Sequence, residues 1–232
     1  MTRLVWLFDV DGTLIRTFGA AREAFQHAAG TLFGVNDALE GVAFAGRTDP
    51  LILADILERV GRAPTKAETE RFWQLAHARY QAVLESGRGG VLPGVLPLLA
   101  AIGREPGWVP GLLTGNAAAM ARLKLGHFGL GDAFVFGAFG DEAPDRDALA
   151  RKAVAEIAAR WEVPASRCLV VGDTELDIRC ARAAGARVVA VATGVRTRQE
   201  LASHGPDLLL DDLSGTEELL AWARGVADGG SD

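Results

Sequence analysis

Two aspartates one residue apart close an apolar run near the start of the chain, Leu4-Val5-Trp6-Leu7-Phe8-Asp9-Val10-Asp11-Gly12-Thr13. Side chains at i and i+2 leave extended backbone on the same side, so Asp9 and Asp11 start out together. Two unpaired carboxylates at the end of a buried strand repel each other and resist desolvation, a conflict that a divalent cation resolves. Two later stretches have the same form. Leu112-Leu113-Thr114-Gly115-Asn116 ends an apolar run in a hydroxyl, and Val170-Val171-Gly172-Asp173-Thr174-Glu175-Leu176-Asp177 ends one in two acids. Each has a plainer reading taken singly. Asp-x-Asp-Gly is also a turn or a Ca²⁺ loop, Asn116 a helix cap, and Asp173 with Asp177 a favourable helix start. Three such stretches at three strand ends point instead to one site.

The elements that must position them follow from the pattern. Short apolar strands are expected at 3–9, 109–113, 133–137, 167–172, 187–192 and 207–210, with Ala- and Leu-rich helical patterns between most of them. That alternation predicts an α/β fold, a parallel sheet covered by helices on both faces. Ligands bind such sheets beyond the carboxyl ends of the strands, where these polar residues fall. Residues 15–88 break the alternation. They read as helices over 18–33, from Asp49-Pro50 onward and over 66–86, followed by a flexible Gly87-Arg88-Gly89-Gly90. The expected organisation is a core of 1–14 and 89–224, an all-helical cap of 15–88 inserted after the Asp pair as a lid, and a flexible tail of 225–232.

Composition narrows the function. The 232 residues are 49% hydrophobic and 23% charged, with a net charge of −6 and no long basic run, which argues against nucleic acid or an anionic membrane as partner. Cys168 and Cys180 lack the spacing of a zinc site or a disulfide framework. No stretch reads as a leader or a membrane span, so a cytoplasmic protein is expected. Gly129-Leu130-Gly131 lacks the third glycine of a dinucleotide fingerprint, and no Gly-Lys-Ser/Thr occurs. The four histidines and five tryptophans are scattered and form no cluster.

Asp9-Val10-Asp11-Gly12-Thr13, Thr114-Gly115-Asn116 and Gly172-Asp173-Thr174-Glu175-Leu176-Asp177, in this order, resemble the first, second and fourth motifs of the haloacid dehalogenase superfamily. The helical insertion matches the lid of its phosphoglycolate-phosphatase-like and β-phosphoglucomutase-like branches. The resemblance covers nearly the whole chain and implies a Rossmann-like core and a Mg²⁺-dependent phosphatase. Asp9, the Asp11 backbone carbonyl and Asp173 are then implied to hold Mg²⁺, with Asp177 assisting the metal site. Asp9 is implied to attack phosphorus and form an aspartyl-phosphate, and Asp11 to serve as acid and then base. Gly12 frees backbone N–H groups, Thr13 and Thr114 offer hydroxyls, and Gly115 and Asn116 offer N–H groups at the start of a helix over 117–125.

The third motif departs from the family. A lysine, often before proline, is expected ahead of the fourth motif, and no Lys-Pro occurs there. Arg146, placed in the loop before a helix starting at about Asp147, is the best substitute, with Lys152 a helical turn or more further on. The plainer reading of Arg146 is a surface pair with Asp145 or Glu142. Arg47, in Gly46-Arg47-Thr48-Asp49 of the lid, is expected to meet a substrate carboxylate or the phosphate, while Thr48 or Asp49 caps the helix that follows. The expected partner is a small phosphorylated metabolite such as phosphoglycolate or a sugar phosphate, bound by a monomer or homodimer. A phosphomutase shares every core motif, and a non-catalytic binding module remains the alternative from another class.

Overall fold

The computed structural model describes residues 4–61 and 63–229. At its centre is strand β1 (Leu4–Phe8), every residue of which is buried. Its side chains alternate between two cores. Leu4, Trp6 and Phe8 face one, and Val5 and Leu7 face the other. The alternation is the two-residue period of extended backbone with both faces covered, the pattern of a central parallel strand.

Five more strands join it: β4 (Trp108–Thr114), β5 (Phe136–Phe139), β6 (Cys168–Gly172), β7 (Arg187–Val191) and β8 (Leu208–Leu210). The order is β5-β4-β1-β6-β7-β8, and every pair is parallel. The register pairs Phe8 with Leu112 and with Val171, so the strand ends that carry Asp9, Thr114 and Asp173 lie side by side. On one face pack helices α4 (Val95–Ile102), α5 (Ala118–His127) and α9 (Thr216–Ala227), and on the other α6 (Arg146–Trp161), α7 (Glu175–Ala183) and α8 (Arg198–Ser203). The expected α/β sheet is therefore present.

Residues 15–88 hold helices α1 (Ala20–Phe33), α2 (Asp49–Val60) and α3 (Lys66–Glu85), which bury a third core of their own around Phe25, Phe72 and Tyr80. Phe25 and Phe72 meet edge to face at 5.5 Å between ring centroids, the arrangement that suits their quadrupoles. Met120 of α5 joins this cluster, so the helical unit rests on the sheet layer through α5. Its stem is a two-residue ribbon, β2 (Ile15–Arg16) antiparallel to β3 (Gly90–Val91).

Three expectations are corrected. A short strand, β2, does occur within 15–88. The strand expected at 133–137 starts at Phe136, because only from there does the chain pair with Gly111 onward, and Val135 is left 59% exposed. Gly225 does not begin a frayed tail: α9 runs through it to Ala227, with Leu220, Ala223 and Val226 buried on its inner face. The rest of that expected tail, 230–232, and the first residue of the strand expected at 3–9 lie outside the described residues. Cys168 and Cys180 are buried free thiols. No helix among the described residues is long and apolar enough to cross a membrane.

Candidate active site

At the end of β1 the chain carries Asp9 into a buried position, 5% exposed, with its N–H on Val171 O at 2.9 Å. Asp173 follows β6 and Asp177 lies in the first turn of α7. Each of the three brings a carboxylate oxygen within 4.8 Å of the other two. Burial, together with Asp177 and Asp11, outweighs the opposing pull of Arg146 and pushes Asp9 up to about 6. Burial, Asp177 and Asp9 push Asp173 well above the ordinary carboxylate range. Crowded hard oxygens whose negative charge is disfavoured form a donor set that fits a divalent cation. The backbone makes room for it: a Cβ on Gly194 would stand 1.6 Å from Asp173 Oδ2, and one on Gly12, at φ +83°, 2.4 Å from it. A side chain at either position would push that carboxylate aside, and at Gly12 the positive φ would strain it as well.

The two acids of the fourth motif divide their work. Thr13 Oγ donates to Asp173 Oδ1 at 3.3 Å. Asp177 is fully buried, and its Oδ2 accepts from the Thr174 N–H at 3.0 Å and hydroxyl at 2.7 Å. Its Oδ1 is held by Arg146. Both oxygens of Asp177 are thus engaged by protein. The helix-start reading of this residue describes what it does in the fold, alongside its place in the acid cluster.

Arg146 is not in a loop. It is the first residue of α6, behind Asp145, whose side chain accepts from the Ala148 N–H at 2.8 Å. It is 3% exposed, far from a surface pair with Asp145 or Glu142. Its guanidinium spans Asp177 Oδ1, Asp9 Oδ1 at 3.3 Å and Gly46 O at 3.1 Å. Burial lowers its proton affinity, but the two carboxylates more than reverse that, so it stays a cation. Lys152 lies on the surface, paired with Glu142 at 2.7 Å. Arg146 also shares the buried stripe of Leu149, Ala150, Ala153 and Ile157, and that 3–4 spacing is the sequence signal for an inward position.

Asn116 Nδ2 donates to Asp11 Oδ2 at 2.9 Å and to Thr114 Oγ at 2.8 Å. The helix after it begins at Ala118. Of the two N–H groups expected to face an anion, that of Asn116 donates to Thr114 Oγ at 3.3 Å; the next two are also taken, Ala117 donating to Asp49 Oδ2 at 2.8 Å and Ala118 to Asp141 Oδ1 at 3.0 Å. Asp49 therefore caps α5 rather than its own helix, and Thr48, the residue before α2, makes no side-chain cap bond. Asp49 N–H donates to Gly115 O at 2.8 Å. A Cβ on Gly115 would stand 2.1 Å from Arg47 O, so the segment 46–49 lies directly on the second motif. Arg47 faces the resulting cavity, but its guanidinium is already paired with Asp55, at 2.5 and 3.1 Å.

Sequence reasoning missed one cation altogether. Lys124 of α5 is 1% exposed, and its ammonium meets Asp11 Oδ2 at 2.5 Å and Asn116 Oδ1. The signal was there: Lys124 stands four residues after Met120 and three after Ala121, on a stripe otherwise apolar. Asp9, Asp11, Arg47, Lys124 and Asp173 line a cavity of about 520 Å³ between the helical unit and the strand ends.

Burial pushes the Asp49 carboxyl up from 3.8 to about 6, with Lys124 and the Ala117 N–H offsetting only part of it. The folded pKa lies above the unfolded one, so this group's contribution is most favourable below about 4 and is lost as pH rises through 6. Asp49→Asn keeps an acceptor for Ala117 and removes the charge. It is expected to melt higher than the parent protein at pH 8, by up to about 3 kcal/mol, with the gap closing toward pH 4. Melting curves across that range check it, and a gap that widens toward acid would refute the assignment.

Residues 5–185 match the haloacid dehalogenase-like hydrolases. The chain belongs to that family. It is thereby an enzyme, of the phosphoric monoester hydrolase class for which its relatives are named. It is 32% identical over 224 residues to a plasmid-borne phosphoglycolate phosphatase of Cupriavidus necator, covering 94% of this chain and 93% of that one. Among solved structures, a predicted phosphoglycolate phosphatase of Haemophilus somnus superposes with a TM-score of 0.73 at 19% identity, over 94% of this hydrolase and 98% of its own chain. CbbY of Rhodobacter sphaeroides, solved with phosphate, gives 0.70 at 26% identity, over 93% and 96%. A variant of CbbY has also been solved with xylulose 1,5-bisphosphate.

Proposed function

We propose that this hydrolase is a Mg²⁺-dependent phosphatase of small organic phosphates, working through a phosphoryl group carried on Asp9. The observation that carries the reading is the pairing of two carboxylates with two different cations. Asp9 is buried against Arg146, and Asp11 opens toward the cavity against Lys124. One carboxylate is fixed and desolvated as a nucleophile must be, and the other can reach a leaving group.

Asp9, Asp173 and the Asp11 carbonyl are the residues to hold Mg²⁺, with Asp177 behind them. When bound, the ion supplies neutralisation of the acid cluster and polarisation of a phosphoryl oxygen. The remaining work falls to side chains of the chain itself. Arg146 holds one oxygen of Asp9, leaving the other to attack phosphorus as the bond to the substrate alkoxide breaks. Asp11 gives that alkoxide its proton. Asp11 then takes a proton from water, whose oxygen attacks the same phosphorus, and inorganic phosphate and free Asp9 result. In this reading Thr13, Thr114 and the Gly115 N–H receive phosphoryl oxygens, whereas the N–H groups expected from Gly12 and Asn116 are already engaged, by Ile15 O at 2.8 Å and Thr114 Oγ at 3.3 Å. The helix 15–88 unit acts as a cap that excludes water during the transfer.

The cavity volume suits a small metabolite. Phosphoglycolate, or a sugar phosphate such as the bisphosphate held by CbbY, is the substrate class this reading favours, with Arg47 at its distal end and Asp55 holding that guanidinium in place. The two buried free thiols suit a reducing cytoplasm. Hydrolysis of p-nitrophenyl phosphate is expected with Mg²⁺, and a loss of at least about a hundredfold with EDTA, restored by added Mg²⁺. Undiminished turnover in the chelator would overturn the metal assignment.

A further inference from the structure

Lys124 has no part in the motifs, yet it is among the largest fully buried side chains of the protein. An ammonium at that depth is costly unless it is paired and hydrogen-bonded. Here it is. Its partners are Asp11 Oδ2 at 2.5 Å and Asn116 Oδ1, and the face of the Tyr80 ring lies 5.0 Å away. Asn116 Nδ2 donates to the same Oδ2 of Asp11 at 2.9 Å. Both donors grip one oxygen, and the hydrogen bonds found to Asp11 among the described residues all go to it. The other oxygen, Oδ1, is left without a hydrogen bond among the described residues, on a side chain that is 40% exposed and lines the cavity.

We propose that Lys124 is a positioning residue for proton transfer: with Asn116 it clamps Asp11 by Oδ2, so that Oδ1 alone is presented to the leaving-group oxygen. An aspartate has two side-chain torsions to fix, and a half-exposed carboxylate left to itself samples several rotamers. Two converging charge-assisted bonds to one oxygen remove that freedom.

The clamp is built partly from the cap. Tyr80 belongs to α3 and is fully buried, and its hydroxyl donates to Thr17 Oγ at 3.0 Å, beside the β2 stem. Burial lowers the proton affinity of Lys124, and Asp11, Tyr80 and Asp49 raise it above its ordinary value, two of the three lying on cap helices. Cap residues thus form part of the wall around Lys124.

This inference rests on the phosphatase reading, and the test separates the two. A positioned acid matters most when the leaving group is a poor one. p-Nitrophenolate departs near neutrality without help, whereas an alkoxide needs the proton. Lys124→Met is to be compared with the parent protein in the pre-steady state, on p-nitrophenyl phosphate and on a simple alkyl phosphate, both with Mg²⁺. The first-turnover rate is expected to fall at least tenfold more for the alkyl than for the aryl substrate. With the aryl substrate a burst of nitrophenol should precede slow turnover, because the misaimed Asp11 also serves the water step. The same substitution in an Asp11→Asn background should cost less than about twofold, since both act through one group.

Equal losses on the two substrates, or full additivity with Asp11→Asn, would overturn the clamp while leaving the phosphatase reading intact. A parent protein that turns over neither substrate overturns both. If Lys124→Met does not fold, Asn116→Ala removes the other donor to Oδ2. An unchanged alkyl-to-aryl ratio in that variant would overturn the two-donor clamp.

Discussion

Asp9→Asn is expected to abolish turnover, with kcat on p-nitrophenyl phosphate falling at least about a thousandfold, or roughly 4 kcal/mol of barrier. The amide has nearly the shape of the carboxylate and can still face Arg146, so the loss is one of nucleophilicity rather than of fold. The position is buried, and water cannot easily take over the attack from the same direction. Rapid acid quench of the parent protein during turnover should trap phosphate on the chain, and the variant should trap none. Turnover within about tenfold of the parent protein would sink the nucleophile assignment.

Arg146→Ala is expected to have the second largest effect, on folding as well as on chemistry. The side chain neutralises Asp9 and Asp177 at once and binds the Gly46 carbonyl, so it ties the acid cluster to the cap. Its removal leaves three carboxylates within 4.8 Å of one another with no cation among them. Removing one partner of a buried pair costs about 3–5 kcal/mol, because the remaining charge stays desolvated. A drop of that size in unfolding free energy is expected in EDTA, with part of it recovered on adding Mg²⁺, since a divalent ion can take over the neutralisation. In Mg²⁺, kcat/KM should fall more than tenfold. Arg146→Lys should fold better than Arg146→Ala but not restore the rate, because one ammonium cannot span three acceptors as a guanidinium does. Denaturant unfolding with and without the metal checks the first part. If the stability of Arg146→Ala is indifferent to Mg²⁺, Arg146 is not the cluster's counter-charge.

These two residues show how unevenly the site could be read from the sequence. Asp9 sits where a local rule puts it. An apolar run of β-former residues ends in Asp-x-Asp-Gly, and the side-chain period of a strand sends the acid beyond the sheet edge. Arg146 stands out by its place in the chain, but its local sequence predicts a loop where the structure has the first turn of α6. Its partners, Asp9 and Asp177, come from other elements, and Gly46 from the cap. Nothing near Arg146 in sequence announces them. The local sequence offers Thr48 or Asp49 as the cap of the helix that follows, and tertiary contact overrides it: α5 lies close enough for the Ala117 N–H to donate to the Asp49 carboxylate.

The sheet, the helical insertion and the three strand ends that carry acids and hydroxyls are legible in the chain alone. Those depend on periodicity and turn chemistry within a few residues. Which cation faces which carboxylate follows from packing between distant elements. Lys124 and Asp11 are 113 positions apart, and they meet because α5 packs beside the end of β1 with one polar side chain in its buried stripe. A helix period tells that such a lysine points inward. What it finds there depends on the neighbouring element, and in a low-dielectric interior that partner decides whether the buried charge is a fault or a working part.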